Sequence, residues 1–190
     1  MKALGYSPSG MNVWDVWYTN EDDKSVHAYH CNVKRRTRKE AYSLGDAVTD
    51  DLINWEECLI VLTPNDDGTL DDLQPWTGCT VKIGGKYHLY YTIREKKTNA
   101  RVQRIGLALS EDMYNFERYE NNPVITTDSR YYIAFDENSS DNKVDCRDLT
   151  LIKDPDSEYW YCFYASTCFE GVEEAECACV ACVRSRRYTV

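Results

Sequence analysis

The sequence predicts an all-β fold in which antiparallel sheets repeat along the chain, as in a β-propeller. Aromatic residues are abundant, with 15 Tyr, 5 Trp and 4 Phe among 190 residues, and aromatic side chains suit the pleated surface of strands. Runs such as Tyr87–Tyr91 and Gly106–Ser110 alternate with the period of two residues that is typical of strands. No stretch of about ten residues has the periodicity of an amphipathic helix.

An internal repeat indicates how these strands are organised. The segment Gly45–Trp55 aligns without a gap with Gly106–Phe116, 61 residues later. Both copies share the pattern Gly-x-Ala-x-Ser/Thr-x-Asp, followed by Asn and an aromatic residue. Ala181–Tyr188 is a third, decayed copy. Self-similarity at this spacing is typical of propellers and other repeat architectures.

The second and third copies each follow a clear hairpin signal. Gly84–Gly85 and Asp154–Ser157 are tight turns between apolar runs. We therefore predict three units of three or four antiparallel strands, at about residues 10–60, 75–125 and 145–190, in one domain spanning 1–190. A β-sandwich is the alternative, but it would not explain why one connection recurs at matched positions. Propellers usually close with four to eight blades, so three blades predict an incomplete ring.

The composition excludes some partners. The chain carries 32 acidic and 22 basic residues, a net charge of -10, which argues against binding to nucleic acid or to anionic membranes. The basic run Lys34–Lys39 could contact nucleic acid, but we interpret it as a solvated loop. No window approaches the roughly 20 apolar residues of a membrane span, and the N-terminus lacks the apolar core of a signal peptide. With nine cysteines in no regular framework, we expect a cytoplasmic protein with free thiols.

Two segments could hold a metal ion. Cys177–Val183 can present several thiolates to one ion, or it can form a β-strand whose cysteines are small buried hydrophobes. The absence of a nearby His favours the strand. The acidic segment Asn65–Asp72 is similar to a calcium loop but lacks the closing bidentate glutamate, so we interpret it as a surface turn. We predict no metal and no cofactor.

Four segments in order resemble the five-bladed β-propeller glycoside hydrolases of families 32 and 43, which include β-fructosidases and arabinan-trimming enzymes. Trp14–Tyr18 resembles the first strand, whose aspartate faces the central funnel. Gly45–Glu56 resembles the end of the first fructosidase blade, and Trp76–Cys79 resembles the turn that opens the second. Asp145–Asp148 resembles the Arg-Asp-Pro segment that opens the third.

The resemblance implies a glycosidase site. Glycosidic cleavage requires two carboxyl groups, one ionised and one protonated. By resemblance, Asp15 is the nucleophile or base, and Asp148 holds sugar hydroxyls and tunes the acid, with Arg147 beside it. Both aspartates begin an inner strand, so a propeller would bring them to one axial pocket. The remaining predicted substrate-binding residues are Trp17, Trp76, Tyr18 and Thr77, and core packing is an equally good interpretation of the three aromatic side chains.

Departures from the family pattern shape the functional hypothesis. Leu149 replaces the usual proline, and the first segment lacks the Asn-Asp-Pro form of typical fructosidases. The family's general acid is a glutamate opening the fourth blade, whereas Glu170–Glu176 suggests an acidic turn. We therefore expect a chain truncated after the third blade. The predicted function is hydrolysis of oligo- or polysaccharides by a β-fructosidase/arabinanase-type glycosidase. An inactive carbohydrate-binding remnant is the alternative, and self-association covering the open propeller edge is a further expectation.

Overall fold

In the part of the chain that it describes, the structure, a computed structural model, has eleven β-strands in three antiparallel sheets. It describes residues 5–21, 25–34, 43–138, 143–168 and 178–186. Within these residues every regular element is a strand, which confirms the predicted all-β fold. No helix in this part of the chain is long and apolar enough to cross a membrane.

Each sheet is a meander in which strands adjacent in sequence are adjacent in space. The first has the order β1-β2-β3-β4, the second β5-β6-β7-β8, and the third β9-β10-β11. The strands are β1 Met11–Glu21, β2 Ser25–Lys34, β3 Ser43–Thr49, β4 Glu56–Leu62, β5 Gln74–Ile83, β6 Lys86–Arg94, β7 Gln103–Ser110, β8 Glu117–Arg118, β9 Cys146–Lys153, β10 Trp160–Thr167 and β11 Ala178–Ser185.

The repeated sequence pattern forms the same turn in the first two sheets. Asp51 Oδ1 accepts hydrogen bonds from the backbone N–H of Ile53 (2.9 Å) and Asn54 (2.7 Å). Asn54 Nδ2 donates to Asp51 Oδ2 at 2.7 Å, and Asn115 Nδ2 donates to Asp112 Oδ2 at the same distance. Backbone hydrogen bonds favour the charged carboxylate, which lowers the pKa of Asp51 to about 2 and also lowers that of Asp112.

Two apolar cores join the three sheets. The first lies between the first and second sheets and contains Tyr29, Leu89 and Met113. Here the Tyr29 hydroxyl donates to the backbone oxygen of Met113 at 2.8 Å, across 84 residues of sequence. The second core lies between the second and third sheets and contains Leu107 and Leu149. The sheets therefore pack face to face in chain order.

The cysteine-rich segment forms a strand, β11, as predicted, but its burial differs from the expectation. Ala181 is buried in the second core, whereas Cys182 is exposed, because successive side chains on a strand point to opposite faces. The expectation of a buried cysteine is wrong for Cys182. No disulfide bond joins the cysteines that the structure describes. These residues also contain no cluster of His, Cys, Asp and Glu arranged to hold a metal ion.

The carboxylates of the acidic segment Asn65–Asp72 serve the fold. Asp72 accepts hydrogen bonds from the backbone N–H of Gly68 (2.9 Å) and Lys96 (2.7 Å). Asp71 is buried and accepts from the Tyr91 hydroxyl at 3.0 Å. The interpretation as a turn therefore agrees with its contacts. The predictions for residues 35–39, Glu170–Glu176 and Cys177, and for positions 187–188 at the end of the third repeat copy, lie outside the described residues.

Candidate functional site

A β-bulge lies near the start of the innermost strand of every sheet. The pairing of β1 with β2 shifts at Asp15, and the pairing of β5 with β6 shifts at Thr77. In the third sheet, Asp148 and Leu149 of β9 lie opposite the single residue Tyr164 of β10. A bulge inserts an extra residue and reorients its side chain. The three predicted site residues Asp15, Thr77 and Asp148 thus occupy equivalent positions in the repeat.

The local backbone turns both aspartates out of the regular strand alternation. Asp15 has φ 42° and Asp148 has φ 57°, in the left-handed region where aspartate is one of the few tolerated residues. In β9, Cys146 and Leu149 are both buried although they are three residues apart. Because a regular strand would bury every second residue, the extra residue releases Asp148 from the core.

A glycine permits the corresponding bulge in β5. A Cβ atom on Gly78 would lie 1.7 Å from the backbone oxygen of Tyr90. Only glycine therefore allows β5 and β6 to approach this closely. The Trp-Thr-Gly segment predicted to open the second blade contains the bulged Thr77 and the glycine that accommodates it.

Hydrogen bonds link the three bulges across the three sheets. The Thr77 hydroxyl donates to Asp15 Oδ2 at 3.0 Å. The Thr92 hydroxyl donates to the Thr77 backbone oxygen at 2.9 Å, and accepts from the backbone N–H of Asp148 at 3.2 Å. Residues 15, 77 and 148 therefore form one cluster, which we call the carboxylate cluster.

The two aspartates of the carboxylate cluster interact electrostatically. Burial raises the pKa of Asp148, and the negative charges of Asp15 and Asp145 raise it further, while Arg147 lowers it. The Asp148 side chain nevertheless retains 47% of its exposure, so a ligand can reach it. A solvent-accessible pair of carboxyl groups with one pKa raised is suited to acid–base or glycosidic chemistry.

Arg147 lies beside the cluster and makes several polar contacts. Its Nε is 3.4 Å from Asp148 Oδ2, and its Nη1 donates to Gln103 Oε1 at 3.0 Å. Nη1 also forms a short ion pair with Asp145. The Thr167 hydroxyl donates to the other oxygen of Asp145 at 2.9 Å. The guanidinium is thus held from the side away from Asp148.

The three predicted aromatic platforms are not part of the carboxylate cluster. Trp17 packs against the first core and stacks on Tyr29 with ring centroids 5.9 Å apart. Trp76 packs against the same core, and the Arg94 guanidinium covers its ring at 3.7 Å. Core packing therefore describes both tryptophans. Tyr18 is 62% exposed and lines a groove on the other face of the first sheet.

Sequence reasoning missed three residues that organise the site. Thr92 bridges Thr77 and Asp148 from the second strand of its sheet, and no sequence pattern indicated it. Gln103 reaches Arg147 across 44 residues and was equally hidden. Asp145 could have been found, because residues two apart on an extended segment share a face.

Comparisons with known proteins agree with this architecture. A family model described as "Glycosyl hydrolases family 32 N-terminal domain" matches residues 16–174, a range that begins one residue after Asp15 and includes Thr77 and Asp148. Fructan 1-exohydrolase IIa from Cichorium intybus superposes with a TM-score of 0.72 at 18% identity, covering 98% of this chain and 32% of that one.

Two further structures show the same fold. A family 32 β-fructofuranosidase of Bombyx mori has a TM-score of 0.67 at 20% identity, covering 93% of this chain and 33% of its own. A family 117 glycoside hydrolase of Zobellia galactanivorans has a TM-score of 0.73 at 10% identity, and the superposition covers 100% of this chain and 58% of that one. The chain therefore folds as part of a β-propeller and spans about a third of the length of these fructosidases.

Proposed function

We propose that this chain, which belongs to the glycosyl hydrolases family 32 N-terminal domain family, binds fructosyl or related sugar glycosides at the carboxylate cluster and supplies two groups for their hydrolysis. The observation that carries the proposal is the hydrogen bond from Thr77 to Asp15 beside Asp148. Together with the bond from the Asp148 backbone N–H to Thr92, this contact brings residues from three separate sheets to one accessible point.

The proposed chemistry assigns a distinct task to each carboxyl group. Asp15 acts on the anomeric carbon, either directly as nucleophile or as the base that removes a proton from the attacking water. The Thr77 hydroxyl fixes the orientation of Asp15 by donating to Oδ2. Asp148 accepts hydrogen bonds from sugar hydroxyls. Arg147 donates to the sugar beside it, and charge-assisted bonds of this kind are the stronger ones.

Breaking the glycosidic bond also requires a proton for the departing oxygen. Among the described residues no glutamate is bonded to Asp15, Thr77 or Asp148. The family pattern assigns the donor to a glutamate on a fourth blade. The second candidate function is sugar binding without turnover at the carboxylate cluster, for which the exposed Asp148 side chain and the bond from Thr77 to Asp15 would be sufficient.

The two candidates can be separated on the full chain. Tryptophan fluorescence titrations with sucrose, inulin and arabino-oligosaccharides measure binding, and release of reducing sugar measures hydrolysis. Hydrolysis that falls by about 10²- to 10⁴-fold in Asp15→Asn supports the enzyme. Saturable binding that Thr77→Val weakens, without release of sugar, supports the binding function. Asp156→Asn, an exposed carboxylate in the Asp154–Ser157 turn, is the matched control and should match the wild type in both assays. Absence of both binding and release with all three ligands would overturn the proposal.

Self-association stays a prediction. Val16 and Tyr18 on the first sheet are exposed, as are Ile152 and Val180 on the third. Apolar sheet faces of this kind are sites of association when they are contiguous. Sedimentation equilibrium across a tenfold or wider concentration range is the test. A mass of one chain at every concentration contradicts the prediction.

A further inference from the structure

The start of β9 places two charged side chains on one side of the chain, Asp145 just before the strand and Arg147 within it. Asp145 and Arg147 are two residues apart, and Cys146 between them is buried in the second core. Alternation along extended backbone therefore directs both charged groups away from that core. The short ion pair between them is a consequence of this local geometry.

Asp145 is itself held in place by a neighbouring strand. Its second carboxylate oxygen accepts the Thr167 hydroxyl at 2.9 Å, from the end of β10. Its side chain is 16% exposed, compared with 33% for Arg147 and 47% for Asp148. Side-chain exposure thus increases from Asp145 through Arg147 to Asp148, the residue proposed to contact the ligand. A partly buried carboxylate that is fixed by a second hydrogen bond forms a stronger ion pair with a guanidinium than a mobile surface carboxylate does.

The guanidinium is held at one end. Nη1 carries the ion pair with Asp145 and the 3.0 Å hydrogen bond to Gln103. Gln103 begins β7 of the second sheet, so this bond also fixes Arg147 relative to the neighbouring blade. The contact with Asp148 is made by Nε and is 3.4 Å long. A charge-assisted hydrogen bond between arginine and a carboxylate is about 2.7–2.9 Å long. The contact between Arg147 and Asp148 is therefore longer than a full hydrogen-bonded ion pair.

We propose that Asp145 is a positioning residue, which holds the Arg147 guanidinium by Nη1 and prevents it from forming a full ion pair with Asp148. Asp148 and Arg147 then remain available to a sugar instead of neutralising each other. The inference rests on the proposed function for its purpose, but its geometry can be tested without any ligand.

The decisive experiment measures the charge of Asp148 directly. In protein labelled with ¹³C at aspartate carboxyl groups, an NMR pH titration follows the Asp148 signal, which is identified by its loss in Asp148→Asn. Asp145→Asn removes a neighbouring negative charge and releases Arg147 towards Asp148. Both effects favour the ionised form, so the pKa of Asp148 should fall from its raised value. Arg147→Gln should raise it.

A second variant keeps the test valid if Asp145→Asn fails to fold. Thr167→Val removes the hydroxyl that anchors Asp145 but leaves all charges in place, and it should lower the pKa of Asp148 by a smaller amount. Asp156→Asn is the control and should leave it unchanged. An unchanged Asp148 titration in folded Asp145→Asn overturns the inference, as does a shift of equal size in the control.

Ligand binding separates this inference from the proposed function. Where the wild type binds sugar, Asp145→Asn should weaken binding by about tenfold, because Arg147 and Asp148 would then bond to each other instead of to the sugar. Where the wild type binds no sugar but the pKa of Asp148 shifts as expected, the positioning role stands and the proposed function fails. Where the wild type binds sugar but the pKa of Asp148 does not shift in Asp145→Asn, the proposed function stands and the positioning role fails.

Discussion

Replacing Gly78 with alanine should damage the fold and the site together. The new Cβ would lie 1.7 Å from the backbone oxygen of Tyr90 and 2.9 Å from the Cα of Tyr91. These are main-chain atoms of β6, so no side-chain rotation can relieve the overlap. Restoring a contact of 3.0 Å, the lower limit for real Cβ atoms, requires a separation of about 1.3 Å between β5 and β6.

The size of the effect follows from this displacement. Overpacking a well-packed interior costs about 1–3 kcal/mol, and a clash with rigid backbone belongs at the upper end. For a chain of this length, about 3 kcal/mol lowers Tm by about 6–12 °C. Thr77 immediately precedes Gly78, and its bond to Asp15 is 3.0 Å long. A comparable movement of Thr77 would break that bond.

The assay combines thermal unfolding by circular dichroism with the sugar titration, and uses Gly85→Ala as its control. A Cβ on Gly85 would meet no atom within 4 Å, although its φ of 85° is unfavourable for alanine. The control should lose about 1–2 kcal/mol from backbone strain and keep the affinity of the wild type. A Gly78→Ala variant with wild-type Tm would refute the steric argument. A destabilised variant with unchanged affinity would refute the link between the bulge and the site.

Three other predictions address the electrostatics, the core and the thiols. Asp148→Asn should raise Tm at pH 7, because the raised pKa of Asp148 means that its carboxylate is unfavourable in the native state. This gain should disappear below the unfolded pKa of about 3.8, where the group is protonated in both the native and the unfolded state. A lower Tm at pH 7 contradicts the prediction. Tyr29→Phe leaves the buried oxygen of Met113 without its 2.8 Å partner and should cost about 1–3 kcal/mol in urea unfolding; an unchanged midpoint contradicts it. A thiol-reactive disulfide reagent should label exposed Cys182 in the folded protein but Cys31 only after unfolding, because burial raises the pKa of the Cys31 thiol to about 12. Peptide mass mapping measures the two labelling rates, and equal rates in the folded protein contradict the prediction.

The repeated turn shows what local sequence can predict. Among the described residues, the side chains of Asp51 and Asp112 form their hydrogen bonds with groups no more than three residues away. The pattern of a hydroxyl, an aspartate and an asparagine therefore carries the whole geometry of the turn. For this reason two aligned segments were sufficient to predict equivalent sheets before any tertiary contact was known.

The aromatic residues show where prediction from sequence ends. Trp17 has an ordinary strand position, and its sequence context fits a sugar platform as well as a core residue. In the structure Trp17 packs against the first core and stacks on Tyr29, a contact that its sequence context does not indicate. Cys182 was expected to be buried, but the register of β11 turns it outward. A shift of one residue exchanges the two faces of a strand, and composition alone does not set the register.

The sequence by itself determined the all-β class, the repeat and the family resemblance, since each depends on residues close together in the chain. Only the tertiary structure decided how the site is assembled. The bond from Thr77 to Asp15 spans 62 residues, and the bond from Asp148 to Thr92 spans 56. Both depend on bulges that turn single residues out of their strands, and on the packing of one sheet against the next. Neither contact has a local signature, because the energy that forms it comes from burying sheet faces rather than from the residues that meet.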